Sequence, residues 1–121
     1  MNVTFQLLSP QYEEAARQLL RRGLEGHWVE YNHALNPDIH DLFKVYEQKM
    51  IVGLIDGELV ACGGWKILSR DMVEFVRFSV SERFQRQSIG SKLLEFVEAS
   101  VRQLGFNKVI LETTSNWEDA I

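Results

Sequence analysis

The chain has 121 residues, of which 45% are hydrophobic, 25% charged and 11% aromatic, enough for one cored domain and too few for two independent ones. Seventeen acidic against thirteen basic side chains leave a formal charge of -4, the wrong sign for a dedicated nucleic-acid binder, so any anion site has to be local. Cys62 is the only cysteine and sits in the run Val60-Ala61-Cys62-Gly63-Gly64, which excludes an internal disulfide and a cysteine-rich zinc site and suits a reducing, cytoplasmic compartment.

The N-terminus has no basic region leading into a long apolar stretch, and nowhere do about eighteen apolar residues run together, so the reading is an unexported protein that does not enter a membrane. Linkers, low-complexity tails and internal repeats are not evident, and the elements are expected to pack as one body.

Val3, Phe5 and Leu7 alternate with polar residues and predict a first strand. Ser9-Pro10 then predicts a helix start, with Ser9 as cap and Pro10 in the first position. Tyr12, Ala15, Ala16, Leu19 and Leu20 form the inward side of that helix, Glu13, Arg17 and Arg21 lie elsewhere on it, and Gly23 is its expected stop. The stretch that follows mixes aromatics with charges and breaks at Asn36-Pro37. Beyond the break, Ile39, Leu42, Phe43 and Tyr46 predict another short helix.

Residues 50–68 read as two apolar strands joined by Asp56-Gly57, a dipeptide that supplies the positive φ of a type I′ hairpin. A second antiparallel step through Ser69-Arg70-Asp71 leads into the β-rich run Met72-Val73-Glu74-Phe75-Val76-Arg77-Phe78-Ser79-Val80, with Val73, Phe75 and either Val76 or Phe78 trading faces. From Ile89, the residues Leu93, Leu94, Val97, Val101 and Leu104 follow helical spacing, Glu98 can pair with Arg102, and Gly105 ends the run. Lys108 to Thr114 then reads as a short buried strand, and the last residues resemble a helix opening capped by Ser115 or Asn116.

The chemistry-bearing stretch runs from Val80 to Leu94: a strand end, a polar turn holding Arg83 and Arg86, and a helix start. First-turn N–H groups lack intrahelical acceptors and sit at the positive end of the helix dipole, so a phosphate placed there receives several hydrogen bonds. Gly90 allows close approach to the backbone, while Ser88, Ser91, Arg83 and Arg86 add donors and charge that suit a pyrophosphate. A P-loop and the three-glycine dinucleotide fingerprint are both absent. On spacing alone, an ordinary capped helix with solvated Arg and Ser residues fits equally well.

In this stretch the sequence resembles the GNAT superfamily of N-acetyltransferases, whose signature is Val-x4-(Gln/Arg)-x2-Gly-x-(Gly/Ala). Val80, Gln85 and Gly90 match that frame, and Ser88 stands where the family usually has its first glycine, a substitution that resists positive φ. The resemblance extends over essentially the whole chain. It implies an α/β fold of the α+β type, a single domain over residues 1–121 with a mixed, mostly antiparallel sheet and helices on both faces. Family members usually continue through a last helix and strand pair carrying a tyrosine acid, and the chain reads as short at that end. Where many relatives have an asparagine near the cofactor, this chain has Trp117.

The implied cofactor is acetyl-CoA, with its pyrophosphate on the backbone of Gln85, Arg86, Gln87, Ser88, Ile89, Gly90 and Ser91 and its pantetheine arm along Phe78, Ser79 and Val80. The implied reaction is direct attack of a primary amine on the thioester, with a backbone N–H near Phe78 to Val80 stabilising the oxyanion. Glu74 is the candidate general base, directly or through water. Glu25, Trp28 and Tyr31 lie on a segment that borders the acceptor pocket in the family, where a carboxylate beside aromatics suits an ammonium group.

His27, His33 and His40 share a polar stretch with Asp38 and Asp41, but their spacing matches no metal-ligand pattern, and no metal is expected. Cys62 reads as an inert packed thiol, and Trp65 and Phe75 as packing residues of the meander. Two other readings follow from the short C-terminal end. One is a catalytically weak or inactive CoA-binding or interaction module, for which an open strand edge invites a homodimer. The other is a fragment of a longer acetyltransferase.

Overall fold

Asp56 and Gly57 stand at φ 50° and 81°, the paired left-handed geometry of a type I′ turn, whose twist matches that of the flanking strands. This turn closes Ile55 onto Glu58 and joins β2 (Met50–Ile55) to β3 (Glu58–Ser69). The computed structural model describes residues 2–25, 37–84 and 88–111. The other elements are β1 (Thr4–Leu7), a 3-10 turn (Pro10–Tyr12), α1 (Glu13–Glu25), α2 (Pro37–His40), α3 (Leu42–Val45), β4 (Met72–Val80), a second 3-10 turn (Glu82–Phe84), α4 (Ile89–Gln103) and β5 (Lys108–Leu111).

The described sheet has five strands in the order β1-β2-β3-β4-β5. The first four form an antiparallel meander, and α4 carries the chain over to β5, which lies parallel to β4. Helices cover both faces. On one, Ala16, Leu19 and Leu20 of α1 pack with Ile39, Leu42 and Tyr46 against Val52, Cys62 and Val76. On the other, Ile89, Leu93, Val97 and Val101 of α4 pack against Ile51, Ala61, Trp65, Val73, Phe75 and Val80. Trp65 and Phe75 are direct cross-strand partners and are both buried. No helix among the described residues is long and apolar enough to cross a membrane.

Several local readings change. Ser9 offers no side-chain cap; its backbone carbonyl takes the Tyr12 N–H at 3.0 Å, and Pro10 opens a 3-10 turn ahead of the α-helix. Gly23 does not end α1, which runs on to Glu25, because an interior glycine costs a helix only about 1 kcal/mol. Ala15 faces solvent while Ala16 is fully buried. Arg17, read as an outward residue, donates from Nε to the Ile39 carbonyl at 3.1 Å, and Glu13 accepts the Phe43 N–H at 3.0 Å. The polar flank of α1 thus holds α2 and α3 in place.

α4 ends as expected. Gly105 takes φ 103°, the Phe106 N–H reaches the Val101 carbonyl at 3.1 Å, and the Gly105 N–H reaches that of Arg102 at 3.0 Å, which together satisfy the last carbonyls of the helix. Leu104, counted with the apolar stripe, lies past the last turn and is exposed. β5 is also less buried than expected, with Lys108, Ile110 and Leu111 exposed. It has one neighbour in the described sheet, so only Val109 packs against the α4 cluster.

Candidate functional site

β3 and β4 fall out of step beside Gly63. Cys62 pairs with Ser79 and Gly64 with Val76, so Arg77 and Phe78 together oppose the single residue Gly63, which is a β-bulge. Arg77 takes φ 57° there, a left-handed conformation uncommon for a residue with a side chain. The bulge also resolves which residues trade faces. Val73 and Phe75 point toward α4, Val76 points toward α1, and after the bulge Phe78 and Val80 point toward α4 again. The Phe78 ring stacks on Phe75 with centroids 5.2 Å apart.

From the bulge the chain runs into the strand end, 3-10 turn and helix start of the stretch expected to hold an anion. Val80 is buried and pairs with Ala61, and the Ser81 N–H then bonds to the Val60 carbonyl at 2.8 Å. The Phe84 N–H closes the 3-10 turn onto Ser81 at 2.9 Å. Arg83 pairs with Glu58 of the β2–β3 hairpin and lies over the Phe84 ring. Gln85, Arg86 and Gln87 lie outside the described residues.

Ser88 takes φ 64°, ψ 14° and makes no side-chain cap. Serine therefore adopts the left-handed conformation that its Cβ disfavours and that glycine accepts freely. Ile89 and Gly90 are buried beneath the helix start, Ser91 is half-buried, and the Lys92 N–H makes the bond to Ser88 at 3.1 Å. The positive end of a 15-residue helix is thus fixed by Ile89 in the core, and its first-turn amides have no acceptor within the helix.

Glu74 lies on β4 three residues ahead of Arg77, between Lys66 of β3 and Ile110 of β5. Alternation with Val73 and Phe75 puts it on the α1 side of the sheet. It is half-buried, and its side chain makes no hydrogen bond or ion pair with another described residue. Glu25 ends α1, but its side chain lies outside what the structure describes, as do Trp28 and Tyr31 and the histidines His27 and His33. Among the described residues, no group of three His, Cys, Asp or Glu side chains could hold a metal ion. Cys62 is fully buried, and burial pushes its thiol up to about 12 against the opposing charge of Arg77.

A family model for the acetyltransferase (GNAT) family matches residues 5–121. The chain belongs to the GNAT acetyltransferase family. A GNAT-family acetyltransferase from Staphylococcus aureus Mu50 aligns with a TM-score of 0.81 at 15% identity, over 93% of this chain and 74% of that one. Ard1 from Thermoplasma volcanium aligns at 0.74 and 24%, over 92% and 71% respectively. A GNAT-family acetyltransferase from Brucella melitensis, solved in complex with acetyl-CoA, aligns at 0.75 and 18%, over 91% and 75%. At such identities the likeness to these structures is one of fold. Comparison with curated proteins gives no match.

Within this acetyltransferase fold, one cluster escaped the sequence reading. Arg77 donates from Nε and Nη2 to the two carboxylate oxygens of Asp38, both at 2.8 Å, and the Tyr46 hydroxyl donates to Asp38 Oδ2 at 2.7 Å. Burial alone would raise the Asp38 carboxyl, but hydrogen bonds from Arg77 and Tyr46 and the Arg77 charge outweigh it and leave the group below its ordinary value. Tyr46 is 1% exposed, and burial and the neighbouring carboxylate push its hydroxyl upward. The available signal was an arginine inside the otherwise apolar Phe75-Val76-Arg77-Phe78 run. Its partner lies 39 positions away, and no local periodicity connects the two.

Proposed function

We propose that this acetyltransferase moves an acetyl group from acetyl-CoA to a primary amine by direct attack within a ternary complex. The observation that carries the reading is Ser88: at φ 64° it takes the left-handed conformation that glycine adopts freely, so the serine does not bar a glycine-type turn at this position. The pyrophosphate would then rest on the backbone from Gln85 to Ser91, with Gly90 allowing close approach. The acetyl-CoA bound to the Brucella relative supports the same ligand class here.

The pantetheine arm would run along Phe78, Ser79 and Val80, beyond Phe75, the last residue of β4 that pairs with β5 among the described residues. As the amine nitrogen bonds to the thioester carbon, a backbone N–H of this strand end would meet the developing oxyanion. Glu74, on the α1 side and without a described partner, is the proposed base that takes the amine proton, directly or through water. The carbon–sulfur bond then breaks and CoA leaves as its thiolate, with no covalent enzyme intermediate.

Calorimetric titration with acetyl-CoA, CoA and adenosine bisphosphate tests the shared premise. Saturable acetyl-CoA binding that is lost in Gly90→Val, with the circular dichroism spectrum retained, is the expected result. Absence of binding by the folded chain would overturn it.

A second reading, an interaction module that pairs through β5, draws on the exposed Ile110 and Leu111 of that strand, since an apolar strand edge is a pairing template. Light scattering showing only monomer would count against it.

A further inference from the structure

The bulge in β4 is held from both sides of the sheet. On the α4 side, the Phe78 ring lies over Gly63, where a Cβ would stand 2.6 Å from the ring. On the α1 side, Tyr46 packs against Gly64, where a Cβ would stand 3.4 Å from Tyr46 Cδ1 and 3.0 Å from the Lys49 carbonyl. The adjacent glycines therefore admit one aromatic ring on each face at the place where the strands slip. Tyr46 in turn donates to Asp38, and Asp38 grips Arg77 through both carboxylate oxygens.

Arg77 is the residue whose backbone is left-handed, a conformation that persists only where the surroundings determine it. The bidentate pair removes the rotational freedom a single contact would leave. Asp38 and Arg77 are each only 18% exposed at the side chain, so solvent and salt screen the pair weakly. The Arg77 carbonyl is also engaged, accepting the Cys62 thiol at 3.5 Å. Side chain and backbone of this residue are thus both tied down.

We infer that Asp38, Arg77 and Tyr46 are positioning residues, which lock α2 to the β4 bulge and so fix the backbone that polarises the thioester. The inference rests on the acetyl-transfer reading above. None of the three need touch substrate. Their effect is exerted through the conformation of Arg77 and the strand that follows it, because an oxyanion donor acts only when it is already aimed.

The experiment uses the full chain and acetyl-CoA labelled with carbon-13 at the thioester carbonyl, so no acceptor is required. Isotope-edited infrared spectroscopy of the wild-type complex is expected to show the carbonyl band displaced to lower frequency than in free acetyl-CoA. In Arg77→Lys, which keeps the charge but not the fork, about half or more of that displacement is lost, while CoA affinity changes by less than about twofold. Tyr46→Phe, which deletes one hydroxyl and keeps the ring, gives a smaller loss in the same direction. A purely structural role would lower the melting temperature and leave the band of the bound complex unmoved, and that result overturns the proposal. A wild-type chain that binds no acetyl-CoA overturns the underlying reading instead, and is distinguished by titration before any variant is made.

Discussion

The ring of Phe78 occupies the space in which a side chain on Gly63 would begin, 2.6 Å from where that Cβ would stand. Gly63→Ala is therefore expected to cost about 1–3 kcal/mol, because the ring stacked on Phe75 cannot withdraw without disturbing the α4-side core. Phe78→Leu in the same chain should relieve part of the clash, so the double variant is more stable than the sum of the single losses. Urea denaturation of the four proteins measures this, and strict additivity would mean that the ring and the glycine do not oppose each other.

Asp38 links acidity to stability with a definite sign. Its folded carboxyl lies below the ordinary value of 3.8, so the unfolded chain takes up the proton first as the pH falls. The stabilisation is complete above 3.8 and is lost as the pH drops toward the folded value. Asp38→Asn should lower stability at neutral pH by about 1–3 kcal/mol and flatten the acid limb. Urea midpoints measured between about pH 2 and pH 6 check both effects, and parallel acid limbs would rule out a contribution from Asp38.

Ser88 pays for its left-handed backbone in strain. Ser88→Gly should raise stability by about 1 kcal/mol and leave acetyl-CoA affinity unchanged or tighter, because glycine adopts the same φ freely. Ser88→Val should lower stability by roughly 1–2 kcal/mol and weaken acetyl-CoA binding, since a β-branched side chain resists this conformation most. Thermal melts and titrations on the pair decide whether the loop conformation or the serine hydroxyl matters.

If Glu74 is the base, Glu74→Gln should lower kcat by about 100-fold or more with a reactive amine, while the Kd for acetyl-CoA stays the same. Unaltered turnover would reduce Glu74 to a half-buried carboxylate on the α1 side of the sheet.

Much of this fold was legible because its signals are local. Asp56-Gly57 specified its turn through φ, Gly105 ended α4, and the spacing of Leu93, Val97 and Val101 placed that helix on the sheet. The strand end at Val80, the 3-10 turn Glu82–Phe84 and the helix start at Ile89 were legible for the same reason, since they are contiguous in the chain. The expected stop at Gly23 was not borne out, because an interior glycine costs a helix only about 1 kcal/mol, and β5 is less buried than expected, with one neighbour in the described sheet.

The linear sequence by itself determined the order of elements, the hairpin, the long helix and the family resemblance, all of which depend on residues a few positions apart. Only the tertiary structure decided that Arg77 and Phe78 oppose Gly63, that the strand changes face there, and that Asp38 and Tyr46 meet the Arg77 side chain on the α1 side of the sheet. Register and ion pairing between distant segments are set by packing once the layers meet, and that information is distributed over Gly63, Gly64, Tyr46 and Phe78 together.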